Sequence, residues 1–566
     1  MKDNERSDFV IVGGVACGPK TAAVLARRLP DAKITLFEKG ESISYAACGL
    51  PYFASGDIDD LNQLNKTSYG VTRDIEFFRC SKGFEVVTNA EVTKIDRRRK
   101  TVTVKMTKDG VEFGHGYNRL ILATGGAPKK PPFPVAQSPF ICSFARPDDA
   151  LFFRSMAQQG KIGQAVIIGG GMIGCELAEA MRSLWGIETI LIEKENQLLP
   201  YALDSEMAAI AQREMQRNDV RVITGTGVAR VDIDSSGKPT VQLQGGEQLS
   251  SDIVFLCLGI SPEVSLAGGC GLAIGQTGAI AVDSFMRTSD PDIYAGGDCV
   301  ESVHQITKRN IYLPMGSIAN RHGRLIAENM AGNPTEFPGV LGAFLLKAFE
   351  INVASVGLSE RAAKESDIES NSVWGTFADK PDYYPESKIV AVKMTYYQRD
   401  DKLAPLGIQA VGKGDVSRIV DVFSVFLQKE STIRDLLDYE HGYAPPYSEA
   451  LDPLHHLAGM AIAQGKGLKM LSPKVASTSA VDSPIWLDVR EIEEAESEKW
   501  PLPKSGELIN IPLGDLLNSL GKLDRAKDII VICKRGPRAY QASIILKKAG
   551  IKKVSIVGGG IQAAFE

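Results

Sequence analysis

Two glycine turns, each followed by an acid, are the residues in this chain whose types and spacing first imply chemistry. Gly169-x-Gly171-x-x-Gly174 follows a short apolar run, Ala165–Ile168, and opens a helical pattern through Ser183; the next apolar run, Thr189–Ile192, ends in Glu193. In such a unit the first glycine permits the turn, the second lets backbone approach a pyrophosphate, and the third lets the helix pack on the strand. The helix N-terminus then presents its positive end to the phosphates. A carboxylate at Glu193 accepts hydrogen bonds from ribose hydroxyls and repels a 2′-phosphate, which favours NADH; the adjacent Lys194 weakens that preference and keeps NADPH open. Gly13-Gly14-Val15-Ala16-Cys17-Gly18 repeats the arrangement between Asp8–Val12 and Thr21–Leu29, with Val15 at the middle position, and Lys33–Phe37 ends in Glu38. Two such turns imply two nucleotides, one of which need not leave.

Sulfur is the second source of chemistry. The nine cysteines, Cys17, Cys48, Cys80, Cys142, Cys175, Cys257, Cys270, Cys299 and Cys533, are scattered, with no CxxC pair and no zinc-ligand spacing. Structural disulfides are not expected, and most of these thiols should be small buried hydrophobes. Cys17 and Cys299 occupy small-residue positions beside glycines and read as packing. Cys533 differs. It ends an apolar run, Asp528–Ile532, and begins the loop Cys533-Lys534-Arg535-Gly536-Pro537-Arg538 ahead of a helix. A loop of that shape turns backbone N–H groups inward as an anion-binding nest, and the flanking Lys534, Arg535 and Arg538 favour a thiolate able to hold a sulfane sulfur. A loop of this size also suits phosphate. The six histidines are dispersed, and His455 and His456, adjacent on a helix, diverge, so no metal is expected.

The elements that must position these groups follow from length and pattern. At roughly 100–200 residues per domain, 566 residues predict about three to five domains. Sixty-four basic and 69 acidic residues leave a net charge of −5, which argues against a nucleic-acid binder. No apolar stretch has the length of a membrane span and the start lacks a signal peptide's apolar core, so cytoplasm is the expected compartment. Strands alternating with helices predict parallel, doubly wound sheets. Beyond residue 335 the texture becomes α+β, with strands at Ile389–Tyr397 and Leu406–Val411 and helices at Ile419–Gln428 and Ser448–Gln464. Residues 465–483, rich in Gly, Ser, Lys and Pro, read as a linker before a final α/β unit.

With both glycine turns in place, Leu120-Ile-Leu-Ala123-Thr124-Gly125-Gly126 and Thr288-Ser-Asp-Pro-Asp-Ile-Tyr-Ala-Gly-Gly297-Asp298 resemble further signatures of the flavoprotein pyridine nucleotide–disulfide oxidoreductases. The resemblance implies FAD at the N-terminal turn, with Asp298 on the ribityl chain, and a nicotinamide nucleotide at the second. Its cofactor-binding positions are Gly13, Gly14, Gly18, Glu38, Lys39, Ala123, Thr124, Gly125, Gly297, Asp298 and Ala319 for FAD, and Gly169, Gly171, Ile173, Gly174, Glu193 and Gly259 for the nucleotide. The implied order is an FAD half (1–145), an NAD(P)H-binding domain (146–265), the FAD return (266–335) and a dimerisation domain (336–464). Lys20, Arg27 and Arg28 lie where relatives carry a basic stretch, but they read as solvated helix charges.

Ser44-Tyr45-Ala46-Ala47-Cys48-Gly49-Leu50-Pro51-Tyr52 resembles the redox-cysteine segment of this family in its single-cysteine branch: coenzyme A disulfide reductases, NADH oxidases and persulfide reductases. Other members pair two cysteines here; this chain has Cys48 alone. The resemblance places Cys48 at a helix N-terminus beside the flavin, which stabilises a thiolate that attacks a disulfide, persulfide or polysulfide sulfur. Pro381-Asp-Tyr383-Tyr384-Pro385 and Tyr443-Ala-Pro-Pro-Tyr447 look like the tyrosine stretches of coenzyme A disulfide reductases. They imply a homodimer in which Tyr443 or Tyr383 donates a proton near the partner's redox thiol, with interface packing as the competing role.

Trp486-Leu-Asp488-Val-Arg490-Glu491 and Ile509-Asn-Ile-Pro-Leu513 resemble rhodanese signatures, so 484–566 is expected to be a rhodanese domain with Cys533 as sulfur acceptor and Arg538 beside it. The final segment ends soon after Gly560, which predicts a reduced last helix. The whole is an α/β chain with two Rossmann-like dinucleotide-binding domains, an α+β dimerisation domain and a C-terminal α/β rhodanese domain. It implies an NAD(P)H-dependent, FAD-containing reductase of coenzyme A persulfide or polysulfide, with coenzyme A as substrate or carrier. A coenzyme A disulfide reductase, an NADH oxidase cycling Cys48 through sulfenic acid, and a redox sensor without turnover are the alternatives.

Overall fold

Each glycine turn of the sequence joins a parallel strand to a helix. The computed structural model describes residues 5–473, 483–499 and 505–565. These form two units: the described residues to Lys194 with Thr226–Val340, and Glu195–Gly225 with the described residues from Leu341 onward. Among the described residues no helix is long and apolar enough to cross a membrane.

In the first unit, strand Glu5–Val12 lies between Ile34–Phe37 and Glu112–Leu122, parallel to both. Its core residues Val10 and Ile11 are fully buried, as continuous apolar runs in parallel strands require. Strand Ile293–Ala295 pairs parallel with Leu120–Leu122 and returns the chain to this sheet. That pairing brings Gly297 and Asp298, far along the sequence, beside the first glycine turn. Helix Cys17–Arg28 packs against helix Gly316–Met330, where a Cβ on Gly323 would lie 2.6 Å from the Cys17 carbonyl oxygen. The second sheet of this unit orders Glu188–Glu193, Gln164–Ile168, Ile253–Leu256 and Ile141–Cys142, all parallel.

The second unit contains a five-stranded antiparallel sheet in the order Phe344–Ala348, Ile351–Gly357, Lys402–Gly412, Ile389–Arg399 and Asn371–Ala378. Helices Ser417–Gln428 and Pro453–Gly465 pack on it; the second starts later than its sequence pattern because Asp452 caps it and Pro453 occupies its first turn. The segment Glu195–Gly225 belongs to this second unit. Helix Ser205–Arg217 buries Met207, Ala208, Ile210, Ala211 and Met215, and it packs against strand Lys402–Gly412. Ahead of it, Asp204 accepts from Gln409 Nε2 at 2.8 Å and pairs with the fully buried Lys393 at 2.9 Å. Lys393 also meets Glu360 at 2.6 Å and lies 4.3 Å from the centre of the Trp374 ring.

The C-terminal sheet is wholly parallel, in the order Lys469–Leu471, Val554–Val557, Ile529–Ile532, Ile485–Asp488 and Glu507–Asn510. The predicted linker is therefore too long at its start. Lys469–Leu471 has enough apolar character to add an edge strand, while 474–482 of that stretch lie outside the described residues. The final described helix is Gly560–Phe565.

Candidate active site

The two nucleotide turns are built on the same contacts. Gly13 has φ +109° and Gly169 φ +116°, and a Cβ would fall 2.0 Å from the Ala123 carbonyl oxygen in one and 2.2 Å from that of Cys257 in the other. The third glycines, Gly18 and Gly174, would each place a Cβ 1.9 Å from the first glycine's carbonyl oxygen, so only glycine fits. The acids repeat as well. Glu38 accepts from the N–H of Gly14 at 2.6 Å and of Gly40 at 2.7 Å; Glu193 accepts from the N–H of Gly170 at 2.8 Å. Each carboxylate thus anchors the turn as well as standing where ribose hydroxyls are expected. A Cβ on Gly171 would meet nothing within 4 Å, so the backbone there faces open space, and half-buried Val15 replaces its counterpart in the first turn.

The remaining predicted cofactor positions gather near these turns. Ala123 donates its N–H to Val12 at 2.8 Å, Thr124 Oγ1 donates to the Glu263 carbonyl at 2.7 Å, and Gly125 and Gly259 both have positive φ at the ends of neighbouring strands. Ala319 is buried, with its Cβ 3.7 Å from the Cβ position of Gly297. Lys39 is exposed, and Ile173 lies half-buried in the first turn of helix Met172–Ser183. Burial pushes the Asp298 carboxyl up to about 6, against one backbone N–H from Met315. Beside it, two polar atoms are buried without a hydrogen-bond partner: Tyr312 Oη and His322 Nε2. Gly297 N–H donates to His322 Nδ1 at 3.2 Å, so the ring's proton sits on Nε2. Burial, with the Arg321 charge, pushes this imidazole down to about 3 and keeps it neutral. A close-approach glycine cradle with orphaned polar atoms at Asp298 fits a polar cofactor such as FAD. Tyr312 and His322 carry no sequence signal, since each reads as an ordinary core residue.

Cys48 is exposed and sits in a one-turn 3-10 segment, Ala47–Gly49, leading into helix Leu50–Ser55. The helix expected at the thiol is thus only six residues long. Its position is set by packing against Met172–Ser183 and by three hydrogen bonds. Arg154 Nη1 donates to the carbonyls of Phe53 and Ile58 at 3.0 and 2.7 Å, and Trp185 Nε1 donates to that of Ala54 at 2.8 Å. Glu176, two residues beyond the third glycine, faces this helix. Burial pushes its carboxyl up to about 7, and Glu179 adds repulsion. Tyr52 is raised first by its own burial, then by Glu176, Glu179 and Cys48. Tyr52 thus feels both Cys48 and Glu176, and of the three only the thiol was foreseen. The acid after the third glycine was the available signal. Cys17 and Cys299, by contrast, are buried against each other and the Gly296 backbone, and burial pushes both thiols up. Arg28 bonds Glu328 at 2.8 Å across the helix pair, a surface ion pair.

In the second unit Cys533 is buried at the end of strand Ile529–Ile532, and its Sγ accepts the N–H of Gly536 at 3.0 Å. Gly536 has φ +118°, which turns its N–H inward. The chain's end supports the loop: Ile561 and Gln562 donate N–H groups to the carbonyls of Cys533 and Lys534 at 2.9 and 3.1 Å. Asp488 and Arg490, both from the first rhodanese-like string, form a buried pair at 2.7 Å behind it. The two arginines are not bare cations. Arg538 reaches both oxygens of Glu494 at 2.5 and 2.9 Å, and Arg535 Nη1 reaches both of Asp382 at 2.9 Å. Asp382 precedes Tyr383, which is exposed and raised by its hydrogen bond to Tyr443. Tyr447 and Leu451 extend this exposed apolar face.

The chain belongs to the pyridine nucleotide–disulphide oxidoreductases: that family's model matches residues 7–313, its dimerisation-domain model residues 346–455, and a rhodanese-like domain model residues 474–565. It is 30% identical over 460 residues to the NAD(P)H coenzyme A polysulfide/persulfide reductase of Pyrococcus horikoshii, covering 81% of this chain and 99% of that one. Among solved structures it is similar along its whole length to a NAD-dependent persulfide reductase from A. fulgidus, at 36% identity and a TM-score of 0.92 with all of both chains covered. Reduced CoADR-RHD from Bacillus anthracis is similar at 31% identity and a TM-score of 0.89, covering all of this chain and 98% of that one. The chain is an oxidoreductase.

Proposed function

We propose that this chain is an NAD(P)H-dependent, FAD-containing reductase of sulfane sulfur, acting on coenzyme A persulfide or polysulfide and releasing sulfide and thiol. One observation carries the reading: Cys48 stands exposed in the turn that leads into helix Leu50–Ser55 of the nucleotide-binding unit, while the same chain carries the separately built thiol loop of Cys533. The likeness to a NAD-dependent persulfide reductase that matches the chain along its full length supports it.

FAD, when bound, would supply two electrons drawn from NAD(P)H. The Cys48 thiolate attacks the sulfane sulfur; the bond to the carrier breaks, and the carrier leaves as thiol. Two electrons and protons then reduce the sulfur held on Cys48, freeing sulfide and restoring the thiol. Gly13, Gly18, Glu38, Asp298, His322 and Tyr312 would hold the flavin nucleotide; Gly169, Gly171, Gly174 and Glu193 would hold NADH. Glu176, near neutrality, is suited to holding a proton beside Cys48 and Tyr52. Cys533 accepts sulfur from a donor, and the exposed Tyr383, Tyr443 and Tyr447 are an interface face for a homodimer in the cytoplasm.

Turnover with NADH against coenzyme A persulfide, coenzyme A disulfide, polysulfide and oxygen tests this directly. Sulfide release should dominate and vanish in Cys48→Ser while NADH still bleaches the flavin. Unchanged sulfide release in that variant overturns the reading. Preference for the disulfide would establish the second reading, which the likeness to CoADR-RHD favours.

A further inference from the structure

We propose that Asp382 and Glu494 make the Cys533 loop selective for sulfur donors of low charge, alkyl persulfides and hydropersulfides, over dianions such as thiosulfate. The inference rests on Cys533 being the sulfur acceptor and adds the chemical class of its donor.

A sulfur-transfer loop that binds thiosulfate must neutralise two negative charges close to its thiolate, in a site shielded from water. Backbone N–H groups supply part of that, and cationic side chains must supply the rest. Here the sequence places Lys534, Arg535 and Arg538 at the loop, yet two of the three are already engaged by carboxylates. Glu494 takes both terminal nitrogens of Arg538 at 2.5 and 2.9 Å in a fork-to-fork pair. Asp382 takes Arg535 Nη1 with both oxygens at 2.9 Å, and Gln562 Oε1 takes Arg535 Nε at 3.0 Å. Glu491 also lies near Arg538 and Glu449 near Arg535, so the side chains at the loop hold no surplus of positive charge. The backbone N–H groups suit one thiolate, or one persulfide anion in its place, and leave a dianion uncompensated. Glu494 stays ionised throughout the working pH range, because its hydrogen bond to Arg538, above all, holds its carboxyl down at about 2. The same balance argues against phosphate in this loop.

With a persulfide R–S–SH, the Cys533 thiolate attacks the terminal sulfur, the S–S bond between the two persulfide sulfurs breaks, R–S⁻ leaves, and the proton stays on the new enzyme persulfide. With thiosulfate the corresponding break releases sulfite, and the dianion must first enter beside Glu494 and Asp382.

The test is single-turnover loading of the Cys533 peptide in the full-length protein, read as the mass of one added sulfur, with thiosulfate and with 2-hydroxyethyl persulfide. Asp382→Asn and Glu494→Gln free their arginines without changing side-chain shape. Each should raise the ratio of thiosulfate to alkyl persulfide loading rates about tenfold, and the double variant further. The gain should shrink as ionic strength rises, and Glu494→Asp should restore the parent ratio. Impaired folding would lower both rates and cannot produce this result. A ratio unchanged in all variants, with loading intact, overturns the inference alone. Failure of the unsubstituted protein to load from either donor overturns the acceptor role of Cys533, and the inference with it.

Discussion

The N–H of Gly536 points at the sulfur of Cys533, 3.0 Å away, and it does so because Gly536 holds φ at +118°. No residue with a Cβ adopts that conformation without strain, so the hydrogen bond and the glycine are one feature. The loop closes around the thiol through backbone before any side chain contributes.

Gly536→Ala should therefore swing this N–H away from the sulfur. A hydrogen bond to a charged acceptor is worth about 1.5–3 kcal/mol, so persulfide loading of Cys533 should fall on the order of tenfold to a hundredfold. Loading followed by mass spectrometry checks it, and an unchanged rate would show that the thiolate does not depend on this donor.

Glu193 bears on nucleotide choice. Its carboxylate accepts from Gly170 and lies at the strand end where a 2′-phosphate would approach. Glu193→Gln keeps the shape and removes the charge. The ratio of kcat/KM for NADPH to that for NADH should rise about tenfold. Equal ratios in parent and variant would place the discrimination elsewhere.

Glu176 gives a pH signature. Its carboxyl ordinarily titrates near 4.5 and is pushed up to about 7 by burial and Glu179. Below the lower value both folded and unfolded states hold the proton, and stability is full. As pH rises toward the folded value, the unfolded state releases its proton first and the folded state loses stability. Glu176→Gln should match the parent below the lower value, gain on it through the window, and hold a constant advantage above it. That advantage is at most about 3 kcal/mol. Thermal unfolding across that range measures it; parallel curves would contradict the buried carboxyl.

Lys393 is fully buried, and although burial opposes its charge, Asp204, Glu206 and Glu360 together push its pKa up. Lys393→Met removes one charge and leaves the carboxylates uncompensated, which should cost about 3–5 kcal/mol. Adding Asp204→Asn should recover part of it. Denaturant unfolding of the single and double variants distinguishes a coupled network from independent contacts.

Much of this was legible in sequence because it is local. The paired glycine turns, the acids Glu38 and Glu193, and the Cys533 loop are set by residues within a few turns of backbone, where steric rules at glycine and helix ends act directly. Long-range pairing was legible only where a string such as that ending in Gly297-Asp298 announced it.

Other features depend on chains meeting. Lys469–Leu471 reads as linker until Val554–Val557 offers it an edge, and Asp204 reads as an ordinary helix-start acid until Lys393 and Gln409 receive it. The orphaned Tyr312 and His322 look like core, because partnerlessness is a property of surroundings and not of residue type.

The sequence by itself determined the two glycine turns with their acids and the separate placement of Cys48 and Cys533, since glycine stereochemistry and cysteine position are written in the chain. The tertiary structure alone decided the charge at the second thiol. Arg535 and Arg538 appear in sequence as bare cations; they meet Asp382 and Glu494 from 153 and 44 residues away. Electrostatic balance is a sum over neighbours in space, and only the folded chain brings those neighbours together.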